Sequence, residues 1–422
     1  MPRVAVVGAG FAGLAAACDL QRSGLEVTVL EARRRVGGRV RSATLANGAV
    51  VELGAEWVEE RDRTVRDLAR DLGVALAPVG IGFIRREVAA GTPVAEAEQE
   101  EAERVTREAL ARLDDVTARR LTLGPFVDNL PLRDPQRRLL RARLQGSYGA
   151  DLGTIALRSL GGGFGTEESA GYLRAAAGNQ SLGEAMARRL GDLRLGREVV
   201  TVGWSERGVS VLAAGGEGVQ GGTEALQAEA AVLAVPHTIL ARLEFRPALP
   251  EALGRALAAL PMGVAAKLAV ATAAPPPLRA RQDVAVPYWC WTGRGADGHA
   301  RSALTAFAGS RPPLETLRTV GGDPGPWLAR LRALNPDLAF EGDALLKDWS
   351  VDPLARGCYS AFDNPSWDRT DLLSRPAGRL AFAGEHTAGM ESGTMEGALR
   401  SGLRAAEQVR AILSAARPGR QS

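Results

Sequence analysis

Three glycines near the start of the chain, Gly8, Gly10 and Gly13, have the spacing G-x-G-x-x-G, and small residues in that order suit one task, bringing a backbone close to a pyrophosphate. Gly8 permits a tight turn, Gly10 the close approach, and Gly13 the packing of a following helix on a preceding strand. Phe11 and Ala12 lie within this turn, ahead of the helix whose N-terminus faces the phosphates. Glu31 stands 23 residues after Gly8 (31 − 8), where a carboxylate can accept hydrogen bonds from ribose hydroxyls. Ala32 and Arg33 follow it, and the run Arg33-Arg34-Arg35 suggests a 2′-phosphate. Glu31 would repel that dianion, so an adenosine with a free 2′-OH fits better. Gly37, Gly38 and Arg39 add two flexible residues and a fork-shaped cation able to complete a pyrophosphate clamp. Far along the chain, Lys267 lies among Ala265, Ala266, Leu268, Ala269 and Val270, where an ammonium is costly to bury without a task. The bland alternative is a lysine on the exposed side of a strand.

These residues need elements to hold them. Arg3–Val7 is a short β-branched run that predicts a strand, residues 14–22 predict a helix, and residues 26–30 predict a second strand ending at Glu31. The charged stretch after Glu96 carries Val105, Ala109, Leu110, Leu113 and Val116 at helical spacing, which predicts one amphipathic helix over residues 98–120 with a solvated face. In the segment PYWCW, Trp289 and Trp291 either line a pocket or simply alternate on a strand. His237 and His299 lack metal or triad spacing, and His386 reads as a loop residue.

With 422 residues, 45% of them hydrophobic, the chain has material for a large core in two or three domains, which excludes disordered and collagen-like readings. The 52 basic residues against 49 acidic ones leave a net charge of +3, too small and too interleaved to argue for a nucleic-acid surface. Cys18, Cys290 and Cys358 lie too far apart for a metal site and cannot all pair, so a reducing compartment is expected. Glycines interrupt the apolar N-terminus, no apolar run reaches bilayer length, and the polar residues 417–422 trail off. The expectation is a cytoplasmic protein.

The opening VAVVGAGFAGLAAACDLQRSGLEVTVLEARRRVGGRV resembles that of the flavin-containing amine oxidase superfamily, which includes monoamine, polyamine and L-amino-acid oxidases; carotene desaturases and protoporphyrinogen oxidases share it. Further resemblances follow in the family's order. Leu53-Gly54-Ala55-Glu56-Trp57 is similar to a segment that passes the isoalloxazine ring, and Ala177-Gly178-Asn179-Gln180 to the return into the FAD domain. Val199 falls where a backbone amide and carbonyl contact adenine, though it also suits an ordinary strand core. AVLAVPHTIL, with Pro236, resembles a strand and turn shielding the flavin. In PMGVAAK the resemblance implies that Lys267 reaches flavin N5 through a water. In WSVDPLARGCYSAF it implies that Trp349 lies against the flavin and Tyr359 walls the substrate. Cys358 takes the position that carries a covalent thioether in monoamine oxidases, whereas many relatives bind noncovalently with a small residue there. The ending LAFAGEHTAGMESGTMEGALRSGLRAA is similar to the family's C-terminal signature. It implies a strand ending at Gly384, an acidic Glu385, and a helix starting near Thr394 and Met395 whose amides face flavin N1 and the C2 oxygen.

The resemblance implies an α/β fold: a doubly wound, Rossmann-like, glutathione-reductase-type FAD-binding domain of residues 1–77, 182–256 and 346–422, interleaved with an α+β substrate domain of residues 78–181 and 257–345. It also implies hydride transfer from a carbon bearing a neutral amine to flavin N5, with imine hydrolysis and reoxidation by dioxygen to hydrogen peroxide; the sequence leaves a homo-oligomer open. Thr394 stands where monoamine oxidases place a second tyrosine, and Glu56-Trp57 where L-amino-acid oxidases carry Met-Arg. Glu56, Glu59 and Glu60 either attract a second ammonium, as in a polyamine, or begin a solvated helix. An L-amino-acid oxidase, a desaturase or isomerase of an apolar substrate, and a noncatalytic FAD-binding protein are the alternatives.

Overall fold

The computed structural model describes residues 1–162, 171–216 and 222–416; residues 417–422, read above as a polar tail, lie outside them. The β-branched runs form a five-stranded parallel sheet in the order Leu380–Phe382, Ala230–Leu233, Arg3–Val7, Glu26–Glu31, Asp192–Leu195. Parallel strands are covered on both faces, and here the strand residues divide accordingly. Val4, Val6, Val27 and Val29 pack with the helices Phe11–Arg22 and Met395–Ala415. Ala5, Val7 and Leu30 face a four-stranded sheet ordered Glu224–Ala228, Val209–Gly215, Arg197–Trp204, Glu244–Arg246. The two helices touch backbone to backbone: a Cβ on Gly402 would stand 2.1 Å from the Ala12 carbonyl oxygen.

A six-stranded sheet makes a second body, in the order Phe340–Asp348, Ala265–Thr272, Ala303–Gly309, Tyr288–Trp291, Ala280–Asp283, Glu87–Ala90. The helices Glu96–Ala111, Leu123–Asp128 and Asp134–Tyr148 pack beside it around Leu123, Val127, Leu140 and Leu144. No helix among the described residues is long and apolar enough to cross a membrane.

Some elements depart from expectation. The helix expected over residues 98–120 ends at Ala111, and a short turn, Asp115–Ala118, follows. The cause is Asp114, whose carboxylate accepts from the Thr117 amide at 2.9 Å and so starts a new helix rather than continuing the old one. Val105, Ala109, Leu110 and Leu113 still pack inward, whereas Val116 is exposed. The strand expected to end at Gly384 stops at Phe382, since Gly384 has φ +139° and turns the chain away. The first helix begins at Phe11, a turn earlier than expected, with Gly10 as its N-cap.

Candidate active site

One cavity of about 1020 Å³ runs between the two bodies and is lined by residues from both. At one end lies the glycine cradle. Gly8 has φ +100° and its Cβ position is 2.9 Å from the Ala234 oxygen; a Cβ on Gly13 would stand 1.9 Å from the Gly8 oxygen. Gly10, between them, has nothing within 4 Å of its Cβ position, which leaves a hollow at a helix N-terminus. Gly38, at φ +61°, closes its side: a Cβ there would stand 3.2 Å from the Gly10 Cα. The Glu31 carboxylate accepts from the Ala9 amide at 2.7 Å and the Arg33 amide at 2.9 Å. Burial raises its carboxyl above the usual range against the pull of those amides. Phe11, Ala12, Ala32, Arg33 and Val199 line the same end, with Val199 beside an irregularity in its strand's pairing. The open hollow, the amides facing it and the fixed carboxylate fit the pyrophosphate and ribose of a dinucleotide.

Midway, the chain crosses itself. A Cβ on Gly54 would stand 2.0 Å from the Arg39 oxygen, and the Ala55 amide donates to that oxygen at 3.2 Å. Arg39 Nη1 donates to Glu385 Oε1 and to the Cys358 carbonyl, each at 2.8 Å. Glu385 also accepts from the amides of Ser360 and, at 2.8 Å, Gly393, so one carboxylate ties three segments around the cavity. Burial works against its charge, but Arg39 holds its carboxyl below the usual range. Thr394 caps the long helix, its Oγ1 accepting from the Gly397 amide at 2.9 Å, and the helix start at Met395 lines the cavity. The Trp349 indole donates to the Leu53 carbonyl at 2.8 Å and its ring forms part of the wall.

At the far end Lys267 is buried, 5% exposed, rather than on the solvent side of its strand. Its Nζ donates to Glu56 Oε2 at 2.9 Å. The same Nζ lies 5.2 Å from the centre of the Trp291 ring, and Trp57, Trp289, Phe83 and Tyr172 extend that aromatic cluster, the rings of Trp289 and Trp291 stacked at 4.1 Å. The two tryptophans therefore both belong to a strand and line the cavity. Glu56 is fully buried and committed to Lys267, which corrects its reading as an attractor for a substrate ammonium: a carboxylate already saturated by cations has little left for another. Glu59 pairs with Arg61 on the rim, and Glu60 remains there exposed.

Tyr359 lines the cavity with its ring, while its hydroxyl donates to the Ser147 carbonyl. The Cys358 sulfur fills a notch made by two glycines, 3.0 Å from the Cβ position of Gly149 and 3.2 Å from that of Gly263. Burial pushes its thiol up to about 12, so it is a poor nucleophile near neutral pH.

Several members of this site escaped the sequence reading. Glu52, Arg174 and Arg301 surround Glu56; Asn179, named above only as part of a motif, donates through Nδ2 to the Glu56 carbonyl at 2.8 Å. Lys347 lies directly opposite Lys267 on the adjacent strand, pairs with Asp352 at 2.5 Å and sits over the Trp349 ring at 4.7 Å. A signal for it existed: of the 52 basic residues only Lys267 and Lys347 are lysines, and arginine serves everywhere else.

A dinucleotide cradle opening into an aromatic chamber with one buried lysine is the plan of a flavin-dependent oxidoreductase. The comparisons narrow the class. The chain belongs to the family of flavin containing amine oxidoreductases, whose family model matches residues 11–113 and 131–410, and it is an FAD-dependent oxidoreductase acting on amine donors. It is 26% identical to polyamine oxidase 3 of Oryza sativa subsp. japonica, across 97% of this chain and 89% of that protein. Its fold is similar to that of putrescine oxidase bound to putrescine (TM-score 0.82, 21% identity, 97% of this chain and 99% of that one). It is also similar to that of cyclohexylamine oxidase from Brevibacterium oxydans IH-35A (TM-score 0.79, 21% identity, 98% and 99%).

Proposed function

We propose that this chain is an amine oxidase that holds FAD noncovalently along its cavity, adenosine at Glu31 and Val199, and takes the amine at the Lys267 end. The observation that carries the reading is the continuity of one cavity from Gly10 and Glu31 to Lys267 and Tyr359. When bound, FAD supplies the acceptor for a hydride from the carbon bearing a neutral amine, leaving an imine for water to hydrolyse, and passes two electrons with two protons to dioxygen to give hydrogen peroxide. The chain's residues position and filter. Lys267 Nζ holds a proton at the chamber wall, and the Tyr359 ring, fixed through its hydroxyl, offers its face to the amine. Burial beside the Lys267 charge disfavours a second cation, and an ammonium has no lone pair to drive hydride loss, so the substrate must shed a proton before reacting. The dipole of the long helix stabilises negative charge at Met395.

A doubly wound FAD domain of residues 1–77, 182–256 and 346–422, with residues 78–181 and 257–345 on the substrate side, is supported by the five parallel strands, all of which fall within the first set. Free thiols at Cys18, Cys290 and Cys358 suit a reducing, cytoplasmic setting. The aromatic wall and the commitment of Glu56 favour a monoamine with an apolar or aromatic substituent. A di- or polyamine is the second reading, favoured by Glu60 and Asp62 on the rim. An anaerobic titration of the flavoprotein with monoamines, diamines, polyamines and amino acids tests both. Bleaching of the flavin band by apolar monoamines is expected. Bleaching by polyamines alone favours the second reading, bleaching by amino acids alone makes the chain an amino-acid oxidase, and bleaching by none of them overturns amine oxidation.

A further inference from the structure

Lys267 alone cannot fix where its charge sits. Its same-face neighbours along the strand, Ala265 and Ala269, are too short to brace a four-carbon stem. Phe307 and Lys347 stand opposite it on the flanking strands and the Trp291 ring lies 5.2 Å from Nζ, but none of these accepts a hydrogen bond through an anionic oxygen, and an ammonium lacks the planar fork that orients an arginine. Glu56 supplies the constraint. Its Oε2 accepts from Lys267 Nζ at 2.9 Å, while Oε1 accepts from the Trp291 indole at 3.4 Å and faces Arg301 Nη2 at 3.5 Å. The backbone beneath it is held by Asn179, whose own amide donates to Glu52 Oε1 at 2.8 Å. The charged groups facing Glu56 thus come from four separate segments: Lys267, Arg301, Arg174 on the Tyr172–Ala175 strand, and Glu52 on the Val50–Glu52 strand. Burial works to raise the Glu56 carboxyl, and the three cations together hold it below the usual range, so the group is an anion at neutral pH.

We propose that Glu56 is a positioning residue for Lys267: it pins Nζ at one point of the chamber wall and acts on the reaction only through that lysine. A glutamate in this place is neither a substrate receptor nor a mere filler of the core, because its free oxygens are divided between the lysine and groups that keep the carboxylate from rotating. The kinetic consequence rests on the amine oxidase reading above; the structural consequence does not.

The two-lysine composition makes the test direct. Holoenzyme grown with [15Nζ]lysine carries two side-chain nitrogens, and Lys347 serves as the internal control. A slowly exchanging Lys267 ammonium signal is expected in the wild type and its loss or displacement in Glu56→Gln, with the Lys347 signal in place. Flavin reduction by the best amine should slow roughly 10²-fold in Glu56→Gln, the scale for a group displaced by about 1 Å. In a Lys267→Met background the same substitution should change the rate by less than about twofold. Should Glu56→Gln fail to fold, Glu56→Asp, which keeps the charge and withdraws it by one methylene, should shift the Lys267 signal and slow reduction by a smaller factor. An unmoved Lys267 signal, or effects of the two substitutions that multiply, overturns the proposal. If no amine bleaches the wild-type flavin while the lysine signal still responds to Glu56, the amine oxidase reading fails and the pinning stands.

Discussion

Lys267 is where the removal of a single charge reads out most directly. Lys267→Met is expected to slow flavin reduction or reoxidation roughly 10²-fold while FAD stays bound, checked by stopped-flow absorbance of each half-reaction; unchanged rates in both would remove its catalytic role. Tyr359 separates its ring from its hydroxyl in the same way. Tyr359→Phe removes the hydroxyl's bond to the Ser147 carbonyl and its longer contact with the Gly146 carbonyl, so it should cost about 1 kcal/mol of stability and leave turnover within a few-fold. Tyr359→Ala should lose turnover, because the wall itself is gone. At this scale the sequence was informative about Lys267, whose apolar flanks made an exposed lysine implausible. It was uninformative about the partners of Glu56. Glu52, Arg174 and Arg301 lie in segments far apart in the chain, and nothing local marks any of them as buried.

The strand and turn around Glu52 carry a pH dependence of their own. Burial and the neighbouring Glu56 charge raise the Glu52 carboxyl from 4.5 to about 7. The folded chain therefore holds this proton more tightly than the unfolded one. The contribution to stability is fully present below pH 4.5 and lost as the pH rises through about 7. Glu52→Gln should flatten that fall, measured as the melting temperature against pH, and an unchanged profile would show that Glu52 does not titrate there. Glycine spacing made the opening strand and turn legible, since a Cβ at Gly13 is sterically forbidden rather than merely disfavoured, but the helix starts at Phe11, a turn before the residue 14 expected from the sequence. The helix after Glu96 was less legible: its hydrophobic period ran past Ala111, and only the capping preference of Asp114 signalled the break.

Across the whole molecule, stability should also respond to acid through two buried histidines. His237 and His386 lie with ring centroids 5.9 Å apart, and burial lowers them from 6.5 to about 4 and about 3. Both are neutral in the folded chain, so their contribution is present above pH 6.5 and lost as the pH falls through those values, opposite in sign to that of Glu52. His386→Gln should make unfolding free energy less steep between pH 6.5 and about 4, read from denaturant titrations at several pH values. That strands as far apart in the chain as Arg3–Val7 and Leu380–Phe382 share one sheet was legible only through family resemblance, because no periodicity links them. The two lysines have one more consequence. Both are ion-paired and largely buried, 7% and 15% exposed at the side chain, so the surface is cationic through guanidinium groups and offers essentially no lysine amine. If the chain oxidises amines as proposed, the aldehydes formed by imine hydrolysis meet a surface with almost nothing to condense with, and the protein should emerge from prolonged turnover free of Schiff-base adducts and aldehyde crosslinks.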